Sequence, residues 1–333
     1  MAIREASRQA VLRAAILSAL AMLCAAALTP LLGSADIDLT AALLGRSPDR
    51  EILFQTRLPR VILSLLTGGA LAVSGVLFQA LLRDALATPY VLGVSSGASL
   101  GAVIAIAAGW SQIFGFQAVW FCAVTGAFLT LLLVAQTATR RGGLSSFTLL
   151  LTGVTINSIA MALILLIHSF VGFRQSFAIT RWLMGAIDLA PYHQLALLAC
   201  AVLGAVLIAF LKSREWNLLA LGEDWAAARG LSPSRELLKG YILGSFLAGS
   251  VTALTGPIGF VGLIVPHAIR LVAGADHRLL LPCSFFLGAA FLALCDMLAR
   301  TVMAPDEIPV GVVTALIGGP CFIWMLRRRQ TSP

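Results

Sequence analysis

Two arginines stand close together at the edge of an apolar run, and their side chains define a recognisable chemistry. Arg57 and Arg60 lie three positions apart, around Leu58 and Pro59, just before a long apolar stretch. A guanidinium group is planar, stays charged and can hold a carboxylate through two parallel hydrogen bonds. The pair therefore predicts recognition of carboxylates. The alternative is that both side chains only anchor a helix end among lipid headgroups.

Groups suited to catalysis are scarce in the rest of the sequence. It contains no G-x-x-x-x-G-K-[ST] loop for nucleotide phosphates, and no Ser/His/Asp arrangement or carboxylate pair stands out. Asp296 is the only acid well inside an apolar run, the four histidines are scattered, and the six cysteines lack metal-binding spacing. We therefore predict no catalytic residue, no metal site and no cofactor. An intramembrane enzyme and an ion-driven secondary carrier are kept as alternatives.

Composition indicates which elements must hold these residues. Of the 333 residues, 59% are hydrophobic and 11% are charged, whereas a soluble domain carries about 25% charged residues. Charges are excluded from segments that cross hydrocarbon. We predict an all-α polytopic membrane protein, with a single membrane domain over residues 1–333. The net charge of +8 does not indicate a nucleic-acid partner, because the basic residues lie in the gaps between apolar runs.

Apolar runs predict the transmembrane helices. About 20 helical residues are needed to cross about 30 Å of hydrocarbon, and runs of roughly that length are residues 14–32, 61–82, 90–109, 116–137, 147–171, 194–211, 279–299 and 310–326. Residues 240–273 form a longer run, broken at Gly256-Pro257, which we interpret as a hairpin of two short helices. The total is about ten spans. Gly93, Gly97 and Gly101 predict close helix packing.

The distribution of basic residues predicts the orientation of the helices. Lys and Arg are enriched in cytoplasmic loops. With ten spans and both termini cytoplasmic, seven of the 23 basic residues are external and the other 16 are cytoplasmic. Nine spans would place the arginines at 327–329 outside. Ten spans also predict an external loop at residues 33–60 and a cytoplasmic loop at residues 212–239.

Several ordered blocks between Arg57 and Arg328 carry a family resemblance. They are RLPR from Arg57, GGALAVSGVLFQALLRDALATPYVLGVSSGASLGA from Gly68, LLLTGVTINSIA from Leu149, RWLMGAID from Arg181, LLALGEDWAAARGL from Leu218, GPIGFVGLIVPHAIRLVAGADHRLLLP from Gly256 and DEIPVGVVTALIGGPCFIWMLRR from Asp306. Together they resemble the FecCD-type permeases for iron chelates, haem and cobalamin.

The resemblance implies a function and a set of partners. A member of this family is the membrane-spanning permease subunit of an ATP-binding-cassette importer, with a type II importer fold, in the bacterial inner membrane. The expected substrate is a metal chelate, with a ferric siderophore first and haem or cobalamin next. The expected partners are a second permease copy or close homologue, two ATPase subunits and a periplasmic or lipid-anchored binding protein. The path would be lined chiefly by the fifth and tenth spans.

The resemblance also implies a docking site for the binding protein. Arg57, Arg60 and Arg300 match the arginines that receive acidic residues of that protein in the family. Asp296 lies four residues before Arg300, and residues at this spacing on a helix are neighbours. Asp296 could therefore occupy Arg300 instead.

Residues 216–231 are expected to couple the permease to the ATPase. Leu218, Leu221 and Trp225 recur at helical spacing, and Gly230 is a natural helix stop. The resemblance makes this stretch, which includes Gly222, the coupling helix that sits in a cleft of the ATPase subunit. The alternative is an interfacial helix with Trp225 at headgroup depth.

A cytoplasmic gate is the third expectation from the resemblance. Leu86, in the turn after the second span, and Ser145 and Ser146, before the fifth span, match gate positions of the family. The family usually has N-P-L-A at this turn, where the present sequence has Asp84-Ala85-Leu86-Ala87. Loss of the proline removes a fixed φ angle and restores a backbone N–H, so the geometry of the turn is expected to differ.

Overall fold

Ten apolar helices form the part of the protein that the structure describes. The structure is a computed structural model, and it describes residues 8–33, 37–113, 116–139 and 145–330. Seven are long and apolar enough to cross a membrane, and three are shorter. In chain order they are α1 (Arg8–Leu28), α2 (Leu58–Leu81), α3 (Val94–Ala107), α4 (Phe116–Thr139), α5 (Ser146–Phe170), α6 (Tyr192–Leu211), α7 (Pro233–Thr255), α8 (Val261–Ala273), α9 (His277–Thr301) and α10 (Val310–Gln330). The described residues contain no strand, and the prediction of an all-α membrane protein with about ten spans is confirmed.

Short helices connect the apolar ones. They are Leu39–Leu43 and Asp49–Glu51, followed by a π-helical stretch, Ile52–Arg57, before α2; Trp110–Ile113 before α4; Phe173–Leu183 before α6; and Ser213–Leu221 and Glu223–Ala228 before α7. The predicted external loop at 33–60 is therefore largely helical in its described part, and residues 34–36 lie outside the described residues. The predicted cytoplasmic loop at 212–239 ends earlier than expected, because α7 begins at Pro233.

Contacts between helix termini define two ends of the bundle. At one end, the Ser146 end, the hydroxyl of Ser146 at the start of α5 reaches the carbonyl oxygen of Leu81 at the close of α2. At the other, the Arg60 end, Arg57 before α2 reaches Pro30 after α1. Successive apolar helices run in alternating directions, and α8, like α2, runs towards the Ser146 end, beside the half of α2 nearer that end. Helix α1 begins and α10 ends at the Ser146 end, which the excess of basic residues identifies as cytoplasmic.

Helix α2 is the centre of the bundle, and glycines let its backbone approach two neighbours. A Cβ atom on Gly75 would clash with the carbonyl group of Gly262 in α8, and one on Gly68 would clash with that of Gly288 in α9. Over Asp49–Leu81, which comprises α2 and the helical turns before it, 89% of the most apolar 18-residue stretch is buried. Small residues at such crossings allow the close packing on which helix association in lipid depends.

The predicted glycine ridge packs α3 against α4. A Cβ atom on Gly97 would clash with the side chain of Thr130, and one on Gly101 would clash with the carbonyl oxygen of Cys122. Gly93 has a different use, because its φ of +83° starts α3 from a left-handed backbone conformation. The packing prediction is confirmed for Gly97 and Gly101.

Helix lengths correct the predicted hairpin at residues 240–273. The break at Gly256-Pro257 is present, but α7 has 23 residues and is long enough to cross the membrane. Only α8, with 13 residues, is short, at about 20 Å. The expectation of two short helices is therefore wrong for α7. Helix α7 begins with Pro233, at a position where proline is well tolerated. Its first turn is polar, so hydropathy alone did not assign that turn to the helix.

Candidate docking, coupling and gate sites

At the Arg60 end, two arginines surround one buried carboxylate. Arg60 approaches Asp296 through Nε and Nη2, at 3.1 and 3.0 Å from Oδ1, and its Nη1 lies 2.8 Å from Glu307 Oε2. Arg300 Nε lies 3.2 Å from Asp296 Oδ2. Asp296 is only 1% exposed. Its charge is therefore balanced by Arg60 and Arg300 instead of by water.

Two arginines at this end also hold the C-terminus of α1. Arg57 Nη1 donates to the carbonyl oxygens of Pro30, at 2.7 Å, and Leu31, at 3.1 Å. Arg300 Nη2 donates to the carbonyl oxygen of Thr29 at 3.1 Å. Carbonyl groups at a helix C-terminus lack intrahelical partners and carry partial negative charge. The two guanidinium groups thus join α1 to α2 and α9.

The structure brings the three predicted docking arginines together but gives them different access to solvent. The side chain of Arg60 is 13% exposed, whereas Arg57 and Arg300 are buried, at 4% and 5%. Arg300 pairs with Asp296, which is the alternative that their spacing raised. Glu307 was not predicted from the sequence as a site residue. Its position in the block DEIPVG, which carries part of the family resemblance, could have indicated it. With a side chain that is 43% exposed, it is the most accessible charge in the cluster.

At the opposite end, Gly222 divides the predicted coupling helix into two. The sequence predicts one helix over residues 216–231, but the helices Ser213–Leu221 and Glu223–Ala228 meet at Gly222, whose φ is +136°. Residues with a side chain rarely adopt this angle, so glycine permits the change of direction. The single-helix prediction is wrong. The predicted stop is confirmed, because Gly230 follows the second helix with a φ of +83°.

Residues 213–228, which we call the coupling segment, have an anchored side and an exposed side. Trp216 is fully buried, and its Nε1 donates to the carbonyl oxygen of Ala209 at 2.9 Å. Leu218 is partly buried against the core. Leu221 and Trp225 are 47% and 63% exposed. Two of the three predicted coupling side chains thus face outwards at the Ser146 end.

The predicted gate residues lie at the Ser146 end in different environments. Leu86 is half exposed in the turn after α2. Ser145 caps α5, and its Oγ accepts a hydrogen bond from the backbone N–H of Thr148 at 3.2 Å. Ser146 is buried, with its Oγ 2.6 Å from the carbonyl oxygen of Leu81 and 2.9 Å from Glu223 Oε1. Glu223 was not predicted from the sequence as part of any site.

The turn before Leu86 is closed by an aspartate. The backbone N–H of Leu86 donates to Asp84 Oδ1 at 2.9 Å, and that of Ala87 donates to the carbonyl oxygen of Asp84 at 3.2 Å. A side chain that accepts from the N–H two residues ahead forms an Asx turn. The side chain of Asp84 therefore shapes a turn in which Ala85 replaces the proline of the family.

Side chains suited to metal binding do not cluster in the described parts of the chain, where no group of three or more His, Cys, Asp or Glu residues could hold an ion. The two sites present surfaces of different kinds. The Arg60 end offers a cluster of paired charges, and the Ser146 end offers exposed apolar side chains on an anchored segment. Both arrangements suit binding to other proteins.

Ten apolar helices, seven of them long enough to cross a membrane, define a polytopic membrane protein. The sequence model of the FecCD transport family matches residues 11–328. The chain belongs to this family.

Relatives of known name agree with this assignment. The chain is 37% identical over 285 residues to the hemin transport system permease protein of Yersinia pestis, covering 84% of each chain. It is 40% identical over 283 residues to the vitamin B12 import system permease protein of Citrobacter koseri, covering 84% of this chain and 83% of that one. A solved structure of a metal-chelate type ABC transporter in an inward-facing conformation matches with a TM-score of 0.84 and 30% identity, covering 94% of this chain and 98% of that one.

Proposed function

We propose that this chain is the permease subunit of an ATP-binding-cassette importer for a metal chelate in the bacterial inner membrane. The observation that carries the proposal is the coupling segment. It holds Leu221 and Trp225 exposed at the cytoplasmic end while Trp216 is buried beneath them. Exposed aromatic side chains on a fixed support are favourable anchors for a partner protein. A membrane protein without a nucleotide loop of its own can use such a surface to receive movement from an ATPase.

A second copy of the permease, or a close homologue, is the partner that we propose within the membrane. Helices α5 and α10 expose large apolar side chains, among them Leu151, Leu165, Phe170, Leu316, Ile323 and Trp324. Only 17% of the most apolar 18-residue stretch of α5 is buried, so lipid or protein must cover the remainder. A second copy packed along these helices would enclose a path between the two.

The permease contributes contacts instead of bond chemistry to the transport cycle. ATP binding and hydrolysis in two partner subunits would shift the bundle between outward-open and inward-open states. A ligand shifts such an equilibrium only by as much as it binds one state better than the other. The coupling segment and the gate residues must therefore make different contacts in the two states.

A metal tetrapyrrole is the substrate class that the named relatives favour. Two of them carry hemin and vitamin B12, and both substrates are large, rigid metal chelates. A ferric siderophore, which the sequence resemblance ranks first, is the second candidate. A wide path between two copies suits either class, because the binding protein makes the first selection.

We expect the purified permease to hydrolyse no ATP alone and to import one chelate when the system is complete. The measurement is uptake into proteoliposomes that contain the permease and its ATPase subunits, with binding protein loaded with haem, cobalamin or a ferric siderophore. ATP should drive accumulation of one of the three. Accumulation driven by an ion gradient without the ATPase would favour a secondary carrier, and a chemically altered product would favour an intramembrane enzyme.

We also propose that the arginine cluster at the Arg60 end receives acidic residues of a periplasmic or lipid-anchored binding protein. Arg60 offers an accessible guanidinium group, and Glu307 competes for it. Arg57 and Arg300 are directed at the end of α1. In this proposal they support the docking surface, and Arg60 makes the contact.

The substitution Glu307→Gln should tighten binding of the binding protein by a few fold. It removes a negative charge from the surface and weakens the attraction of residue 307 for Nη1 of Arg60, and exposed ion pairs are worth about 1 kcal/mol or less. Affinity should be measured in nanodiscs, and it should fall as salt shortens the screening length from about 30 Å to 8 Å. Glu51→Gln makes the same charge change in the segment before α2 and is the control. Equal affinities and equal salt slopes for the two variants would show that the cluster is not a docking site.

A further inference from the structure

The carboxylate of Glu223 connects the coupling segment to the start of α5. Its Oε1 lies 3.3 Å from the backbone nitrogen of Ser146 and 2.9 Å from Ser146 Oγ. The hydroxyl of Ser146 also lies 2.6 Å from the carbonyl oxygen of Leu81. A serine hydroxyl has one proton to donate, so its two oxygen neighbours share it, and the backbone N–H supplies a second bond to Glu223. Glu223 thus contacts the start of α5, and Ser146 joins that point to the close of α2.

The same carboxylate faces the turn that holds Leu86. Arg83 Nη2 lies 3.7 Å from Glu223 Oε1, and Arg83 has a left-handed backbone with a φ of +52°. The next residue, Asp84, closes the turn through its bond to the backbone of Leu86. Glu223 is therefore in contact with both chain segments to which the resemblance assigns the gate.

The first half of the coupling segment is fixed to different helices. Asn217 Nδ2 donates to Asp276 Oδ1 at 2.9 Å, and the backbone N–H of His277 donates to Asn217 Oδ1 at 2.9 Å. These bonds join the helix Ser213–Leu221 to the start of α9. Gly222 separates this half from the half that begins with Glu223. Each half is thus held by its own contacts on either side of Gly222.

We propose that Glu223 is a positioning residue that transmits movement of the coupling segment to the N-terminus of α5 and to the turn at Leu86. The proposal rests on the proposed function, because it assumes that an ATPase subunit moves the segment through Trp225. Glu223 is the first residue after Gly222, so a rotation of the second half carries its carboxylate directly.

The test compares transport per ATP hydrolysed in complexes that contain the permease, its ATPase subunits and the loaded binding protein. We expect Glu223→Ala to lower this ratio about tenfold, because a hydrogen bond to a charged group is lost at two donors. Ser146→Ala should lower it in the same direction. The double variant should transport no less per ATP than Glu223→Ala alone, since the contact between the two side chains is already lost in that variant. Glu51→Ala, which removes the same charge at the opposite end of the bundle, should leave the ratio unchanged.

Three results would overturn the proposal. The first is an unchanged ratio in Glu223→Ala, and the second is a double variant whose loss equals the product of the two single losses. The third is loss of ATPase-subunit binding with a normal ratio in the remaining complexes, which would assign Glu223 to the ATPase interface. If Glu223→Ala does not insert, Glu223→Gln keeps an acceptor oxygen for Ser146 and should give an intermediate ratio. Failure of the wild-type complex to import would instead contradict the proposed function.

Discussion

Replacing Trp225 with glutamate is expected to weaken association with the ATPase subunit by about 30-fold or more and to abolish ATP-driven uptake. Trp225 is 63% exposed at the cytoplasmic end, and truncation of an aromatic anchor at an interface often costs about 2 kcal/mol or more. A carboxylate placed in an apolar cleft adds the cost of its own desolvation. The measurements are pull-down affinity in detergent and uptake in proteoliposomes.

A matched variant separates this effect from general damage to the protein. Trp110 is 42% exposed and lies between α3 and α4 at the Arg60 end, away from the coupling segment. Trp110→Glu should leave association with the ATPase at the wild-type level. Equal losses in Trp110→Glu and Trp225→Glu would show that exposed tryptophans serve the bilayer surface, which is the interfacial alternative for residues 216–231.

Hydropathy and charge were sufficient to predict the number and direction of the helices. Seven of the ten apolar helices have the length that lipid demands, and the break at Gly256-Pro257 is visible because both residues interrupt regular structure. The split of the coupling segment at Gly222 could not be predicted in the same way. A single glycine inside a helical pattern is often tolerated, and here contacts to α5 and α9 decide that the chain bends.

The partners of the charged side chains could not be predicted from local sequence. Arg57 turns inward because the carbonyl groups at the end of α1 lie beside it, and these groups are 26 and 27 residues away in the chain. Arg60 pairs with Asp296 and Glu307 across 236 and 247 residues. The sequence indicated that Asp296 and Arg300 could meet, since they share one helix face. The other pairs depend on how α1, α2 and α9 pack.

The substitution Asp296→Ala is expected to destabilise the permease by about 3–5 kcal/mol. Asp296 is 1% exposed and balances Arg60 and Arg300. Removing one partner of a buried ion pair leaves the other charge without compensation, and this loss is far larger than that of an exposed pair. We expect a clearly lowered thermal midpoint in detergent. Glu307→Gln, which removes the charge of the exposed partner of the same Arg60, should change the midpoint little.

A double variant tests whether charge compensation, and not packing, is the cause. Replacing a whole buried pair by apolar residues of similar size is often close to neutral. Asp296→Leu combined with Arg300→Met should therefore be more stable than Asp296→Leu alone, even though it alters two buried positions. Arg300 also donates to Thr29 at the end of α1, so recovery is expected to be partial. If the double variant is less stable than Asp296→Leu alone, Arg300 stabilises the protein mainly by holding α1, and this contribution does not depend on Asp296.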